Sequence, residues 1–314
     1  MVDMSRLIFR RFNEADLGQL HTMLMASPEM ARYPEEISME GLQSQLGWPG
    51  HVPERDRWIV VDPSTQGGLI GYSSMFKSPE TSHADCIVVV RPEHRRLGIG
   101  AELVAKVMDD ARVLGAREVA GYVNALDEGA SAFALTFGAR VVGAYTRLRK
   151  SNALDIQPVA WPEGYCLRTW RGDEDLMTLV DASNQCYDGL SGHNLATAES
   201  WELWLPSMDT RGIFFLFDEH AAVIGIVRAS PAKVDGRVIG QIDAPGVVRR
   251  LRGGDLYLQL LLSAMAWLAS EGAVEYELES WGDDPAVLDC YRTLGFLTMR
   301  RETMYSVSLA VRGA

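Results

Sequence analysis

Two halves of this chain carry the same message, and that repetition limits the fold more than any single motif. Leu7-Ile8-Phe9-Arg10-Arg11-Phe12-Asn13-Glu14-Ala15-Asp16-Leu17 is echoed by Cys166-Leu167-Arg168-Thr169-Trp170-Arg171-Gly172-Asp173-Glu174-Asp175-Leu176. Gly98 matches Gly253, and Phe137-Gly138-Ala139 matches Leu294-Gly295-Phe296, at offsets near 155–158 residues. A period that long is a domain duplication, not a solenoid. In the first half, periodicity and turn residues predict a strand at 6–12, helices at 14–26 and 38–46, and strands at 57–62, 69–76 and 84–91. A helix at 99–114, a strand at 118–124, a helix at 128–137 and a closing pair of strands to about 150 complete it. The second half repeats that order: strand 165–171, helices 173–186 and 197–205, and strands 212–218, 222–230 and 237–244. Helix 254–271, strand 274–281, helix 285–294 and strands 296–309 follow. Ser151 to Gly164 holds Pro158, Pro162 and Gly164 without periodicity, which predicts a linker at 151–164 between domains at 1–150 and 165–314.

Between the strand Cys86-Ile87-Val88-Val89-Val90 and a helix bearing Leu103, Val104, Val107, Met108, Ala111 and Leu114 lies Arg91-Pro92-Glu93-His94-Arg95-Arg96-Leu97-Gly98-Ile99-Gly100-Ala101. This is Arg-x-x-Gly-x-Gly at a strand-to-helix turn. Glycines let backbone approach a ligand, and amides at a helix start lack internal partners. With Arg95 and Arg96 they form a place for a phosphate or pyrophosphate. No Walker lysine follows the glycines, which argues against a nucleotide triphosphatase. The position deep in the chain, after three antiparallel strands, argues against a dinucleotide-binding fold.

The loop, the helix behind it, and the later Asn124-Ala125-Leu126-Asp127-Glu128 segment resemble the pyrophosphate-binding signature of the GNAT superfamily of N-acyltransferases. The element order of both halves resembles two GNAT domains in tandem. The resemblance implies an α/β (α+β) fold, each domain a mixed, mostly antiparallel sheet flanked by helices, with a splayed strand pair for the pantetheine arm. It also implies acetyl-CoA as acyl donor, held by Val88, Val89, Val90, Arg95, Arg96, Leu97, Gly98, Ile99, Gly100, Ala101 and Asn124. An amine would attack the thioester directly, its proton taken by a water chain or by a general base near the fourth strand, often a carboxylate in the family, for which Asp85 and His83 are the nearest candidates. Alternation along the strand places Asp85 on the face opposite Cys86 and Val88, and Cys86 reads as core.

The halves are unequally equipped. Pro245-Gly246-Val247-Val248-Arg249-Arg250-Leu251-Arg252-Gly253-Gly254-Asp255-Leu256 matches the loop, with Arg250 and Gly253 in place and Asp255 standing for Gly100. A carboxylate there repels a pyrophosphate and favours a self-capped helix start. Conversely, Tyr291 stands where many GNAT enzymes carry the tyrosine that protonates the departing thiolate, while the first half has Ala134. A packing role for Tyr291 is the plainer reading. The layout resembles that of the mycothiol synthase family, whose C-terminal half keeps an intact loop where this chain has Asp255. The first half is therefore expected to bind the donor and the second to be degenerate.

The balance of 30 basic and 42 acidic residues gives −12, of which the stretch from 156 onward, with 13 basic and 22 acidic, holds −9. Such a chain lacks the basic footprint of a nucleic-acid binder. Glu275, Glu277 and Glu279 alternate, so they share one strand face, and burial cost predicts that they meet solvent or a wet, cation-attracting cleft. Cys86, Cys166, Cys186 and Cys290 are scattered and the six histidines show no ligand spacing, so no metal is expected. No apolar run approaches a membrane span, and reduced thiols fit a cytoplasmic protein. The expectation is thus a cytoplasmic N-acetyltransferase acting on a small-molecule amine, compatible with a homodimer. Its rivals are a non-catalytic acyl-CoA-binding or scaffold protein, and a protein or peptide N-acetyltransferase.

Overall fold

The computed structural model describes residues 4–309 apart from Arg32, Glu35, Pro49, 66–67, 78–80, 152–155, Gln157, Pro158, Ala160, 191–192, Asn194, Gly253 and 283–284. The chain divides into two compact units. The first holds residues 1–123, 127–141 and 304–314, the second 124–126 and 142–303.

In the first unit the elements run β1 (Ile8–Arg11), α1 (Leu17–Met25), α2 (Met39–Leu46), α3 (Pro53–Asp56), β2 (Arg57–Asp62), β3 (Gly68–Phe76), β4 (His83–Val90), α4 (Ile99–Val113), β5 (Glu118–Asn124) and α5 (Glu128–Leu135). Strands β1 to β4 pair antiparallel in sequence order, and β5 joins β4 in parallel. A parallel neighbour needs a crossover, and α4 supplies it. Ile99, Leu103, Val107 and Ala111 recur every fourth residue on α4 and are all buried against the sheet. On the opposite face Leu20, Met23 and Leu24 of α1 and Leu42 of α2 pack with Ile59, Leu69, Tyr72 and Val89. Ser38 caps α2, its Oγ accepting the Gly41 N–H at 3.0 Å.

The second unit runs β6 (Arg140–Ser151), β7 (Cys166–Thr169), α6 (Leu176–Cys186), α7 (Ala198–Trp204), β8 (Ile213–Phe217), β9 (Val223–Val234), β10 (Arg237–Val247), α8 (Leu256–Ser270), β11 (Ala273–Trp281), α9 (Pro285–Thr293) and β12 (Leu297–Ser308). Its strand order β6-β11-β10-β9-β8-β7 mirrors the first unit, again with one parallel pair, β10 with β11. One large core gathers Leu179, Ile224, Ile226, Leu260, Leu261, Leu278 and Tyr291. The opening echo in the sequence is an ion pair made twice: Arg10 donates to Asp16 at 2.7 and 2.8 Å, and Arg168 to Asp175 at 2.6 and 2.7 Å.

The closing strands differ from expectation in two ways. Each is one long strand rather than a pair, and the compact units do not follow the halves of the sequence. β6 leaves the first half to pair antiparallel with β11, Tyr145 opposite Trp281 and Ser151 opposite Glu275. The end of β12 returns to the first unit beside β5, where Ser306 Oγ donates to Glu118 at 2.7 Å and Leu309 N–H to the Arg117 carbonyl at 2.7 Å. Twelve-residue strands reach further than either sheet needs, and each supplies the next edge available.

Candidate active site

Parallel pairing of β4 with β5 covers His83 to Cys86 against Glu118 to Gly121 and then stops, although both strands continue. Ile87 to Val90 are left paired with β3 alone. The two strands thus splay as the resemblance leads one to expect, and Val88, Val89 and Val90 stand on the stretch of β4 that β5 leaves unpaired. Beyond it the chain turns through Arg96, at φ 63°, and Gly98, at φ 89°, into α4. That turn aims six consecutive backbone N–H groups, Arg96 through Ala101, away from every acceptor among the described residues. They stand at the positive end of α4, where an anion is favoured. Gly100 sits in the first turn, where a Cβ would lie 3.2 Å from the ring of Phe133.

The two arginines separate in role. Arg95 Nε donates to the Val90 carbonyl at 3.0 Å and its Nη2 pairs with Glu29, so it staples the end of β4 to the segment after α1. Arg96 is exposed and has no partner among the described residues. Asn124 falls in the second unit, and its Oδ1 accepts the Leu126 N–H.

Asp85 occupies the face opposite Cys86. It lies across from Phe76 on β3 and Ala120 on β5. Its side chain keeps 37% of its surface open, yet Oδ1 is enclosed and has no hydrogen-bond donor among the described residues. Burial pushes its pKa up, and His83, 3.8 Å away, opposes that shift. Tyr122 is two residues beyond Ala120 on the same face; burial, then the Asp85 charge, raises its hydroxyl well above the ordinary range. Sequence reading missed Tyr122, whose only signal is its register relative to Asp85. Cys86 packs beside Val107 and Ala111, and burial lifts its thiol to about 12. It is core, as its strand position implied.

The second loop requires a different alignment from the one its residue types suggest. Arg252 Nε donates to the Val247 carbonyl at 3.1 Å, repeating the Arg95 bond to Val90 at an offset of 157, and its Nη2 donates to the carbonyls of Cys186 and Asp188 at the end of α6. Arg252, not Arg250, is therefore the counterpart of Arg95. Asp255 stands for Gly98 rather than Gly100, and Tyr257 stands for Gly100. Asp255 is right-handed, at φ −72°, and makes no capping bond, so the helix start is not self-capped. Gly253 lies outside the described residues. The slot beside β10 is closed from within. Pairing with β11 ends at Asp243, Tyr187 donates to the Ala244 carbonyl at 3.0 Å, and its ring covers Gly246.

The three glutamates do not line a wet cleft. Glu277 is 5% exposed and is clamped by Arg147 and Arg149 of β6, while Glu275 pairs with Arg237 at 2.9 Å. Burial raises the Glu279 pKa while a hydrogen bond from Tyr145 resists it. The carboxylates are borne because β6 and β10 bring arginines to them. Tyr291 is fully buried among Leu288, Phe296 and Leu278. No group of potential metal ligands occurs among the described residues.

Residues 6–140 match the acetyltransferase (GNAT) domain family. That first stretch of the chain carries a GNAT acetyltransferase domain. Over 94% of this chain and 97% of the relative, it is 26% identical to a mycothiol acetyltransferase of Amycolatopsis mediterranei. It is 28% identical to the mycothiol acetyltransferase of Rhodococcus erythropolis over 80% of this chain and 84% of that one. Among solved structures, a GCN5-related N-acetyltransferase from Sphaerobacter thermophilus superposes with a TM-score of 0.76 at 22% identity, covering 98% of this chain and 97% of its own. A tandem GNAT protein from the clavulanic acid biosynthesis pathway gives 0.65 at 19% identity over 98% of this chain and all of that one. The tandem GNAT fold expected from the repeat is the fold of the whole chain, and no helix among the described residues is long and apolar enough to cross a membrane.

Proposed function

We propose that the first unit transfers the acetyl group of acetyl-CoA to the amine of a small molecule, and that the second unit binds no donor. The observation that carries this reading is the run of six amides from Arg96 to Ala101, without acceptors among the described residues, beside the splay of β4 and β5. Those amides, with Arg96, would hold the pyrophosphate, and the open edge at Ile87 to Val90 the pantetheine arm. Asp85 takes the proton that the amine gives up as its nitrogen bonds to the acyl carbon and the carbon–sulfur bond breaks. Tyr122, kept protonated by its surroundings, gives its proton to the departing thiolate. Tyr291, sealed in a core, is left to packing. The relatives named for mycothiol favour a small-molecule acceptor over a peptide.

Calorimetric titration of acetyl-CoA into the wild type, Gly100→Asp and Asp255→Gly tests the assignment. One site per chain, lost in Gly100→Asp and unchanged in Asp255→Gly, is expected. A wild type that binds none sinks the enzyme reading, and one that binds without turning over any amine leaves an acyl-CoA-binding protein.

A further inference from the structure

A buried arginine in the first unit has no direct anionic partner among the described residues. Arg57 opens β2 and is 1% exposed. Its Nε donates to His51 Nε2 at 2.9 Å, and its ring neighbour is Phe12, with 5.4 Å from the guanidinium carbon to the centroid. Because His51 Nε2 accepts, the imidazole carries its proton on Nδ1, which faces Asp56 at 3.3 Å. Asp56 is already taken by Arg55, at 2.6 and 2.9 Å, and by the Val52 N–H at 2.7 Å. Among the described residues Arg57 thus reaches a carboxylate only through the imidazole of His51, and its Nη1 is enclosed with no acceptor. Guanidinium stays charged at any working pH, so the site cannot relieve itself by losing a proton.

The sheet register shows where that cation lies. Arg57 is directly opposite Ser74 on β3, and Ser74 is directly opposite Ile87 on β4. Opposite residues in antiparallel strands point to one face, and strands are about 4.8 Å apart, so this row spans roughly 10 Å. Asp85 is two residues from Ile87 on the same strand and face. Ile87, although on a central strand, is 37% exposed, which marks this part of the floor as open. The second unit offers a control. Its equivalent row is Ile213, Arg228 and Asp243: Ile213 stands for Arg57, and the arginine on the middle strand has a carboxylate of its own row at 2.7 Å.

We infer that Arg57 receives a carboxylate of the acceptor, so that the substrate is an amine that also carries an acid, its amine at Asp85 and its carboxylate at Arg57. The inference rests on the acyl-transfer reading of this unit. Two measurements on the full chain test it. In the first, the arginine side-chain nitrogen resonances are followed during titration with sodium acetate and with acetamide, the Arg57 signals being assigned by their loss in Arg57→Lys. Saturable shifts of Arg57 with acetate alone are expected, and no shift with acetate overturns the proposal. In the second, turnover with acetyl-CoA is compared for matched amino acids and amino-acid amides. The wild type should prefer the acids at least tenfold, and Arg57→Gln should bring the two within about threefold without changing the KM for acetyl-CoA. Equal rates in the wild type, or an equal loss for both members in Arg57→Gln, overturn it. If acetate shifts Arg57 but acetyl-CoA does not bind, the anion site stands and the acyl-transfer reading falls.

Discussion

Asp85 is held against its own ionisation. Burial raises its folded pKa above the unfolded value, so its contribution to stability is greatest at low pH and is lost as pH rises through the raised value. Asp85→Asn should therefore raise the thermal midpoint at neutral pH while lowering turnover by roughly 10²–10⁴-fold. A stability gain without a loss of turnover would remove Asp85 from the chemistry. His83 pulls that pKa down, so His83→Ala should move the acid limb of the kcat/KM profile to higher pH, which a pH series on both proteins will read. Asp56 behaves in the opposite sense. Burial pushes it up, but bonds from His51, Arg55 and the Val52 amide outweigh this and hold it at about 2. Its contribution, roughly 2 kcal/mol, is present above pH 4 and lost as pH falls toward 2. Acid denaturation of Asp56→Asn should accordingly show a shallower loss over that window than the wild type.

At the scale of elements, the turn into α4 decides whether an anion is met by amides or by a side chain. Gly98 takes a left-handed conformation that costs other residues about 1–2 kcal/mol. Gly98→Val should lower acetyl-CoA affinity by tenfold or more with little change in the circular dichroism of the helices, and unchanged affinity would show that the turn does not shape the site. Much of this was legible in the residues, because glycine spacing, helical periodicity and strand alternation are local. Val88 to Val90, Gly98, Gly100 and the face of Asp85 follow from them. Alignment of the second loop did not, since residue types placed Arg250 where only the bond to the Val247 carbonyl identifies Arg252. The pairing of Glu277 was equally hidden: its arginines lie 128 and 130 residues away on a strand of the other half. Local pattern gives the charge of a face but not what is laid against it.

For the molecule as a whole, the repeat gave the duplication and the tandem order, and long-range register set the boundaries. A protease site inserted within 152–160 should cut the chain without parting it, because the fragment before the cut carries β6 for the second unit and the fragment after it carries the end of β12 for the first. The two pieces should elute together in size-exclusion chromatography and separate only in denaturant. Separation under native conditions would show that the exchanged strands do not hold the units.

That exchange also orders events in time. Glu118 waits for Ser306, 188 residues later, so β5 stays an open edge until almost all of the chain has been made. Residues that carry the donor loop emerge early from the ribosome, yet the sheet beneath them is finished last. A gene shortened to the half that carries the Gly98 turn would encode that turn but not the strand that closes its sheet, so the second copy cannot simply be deleted.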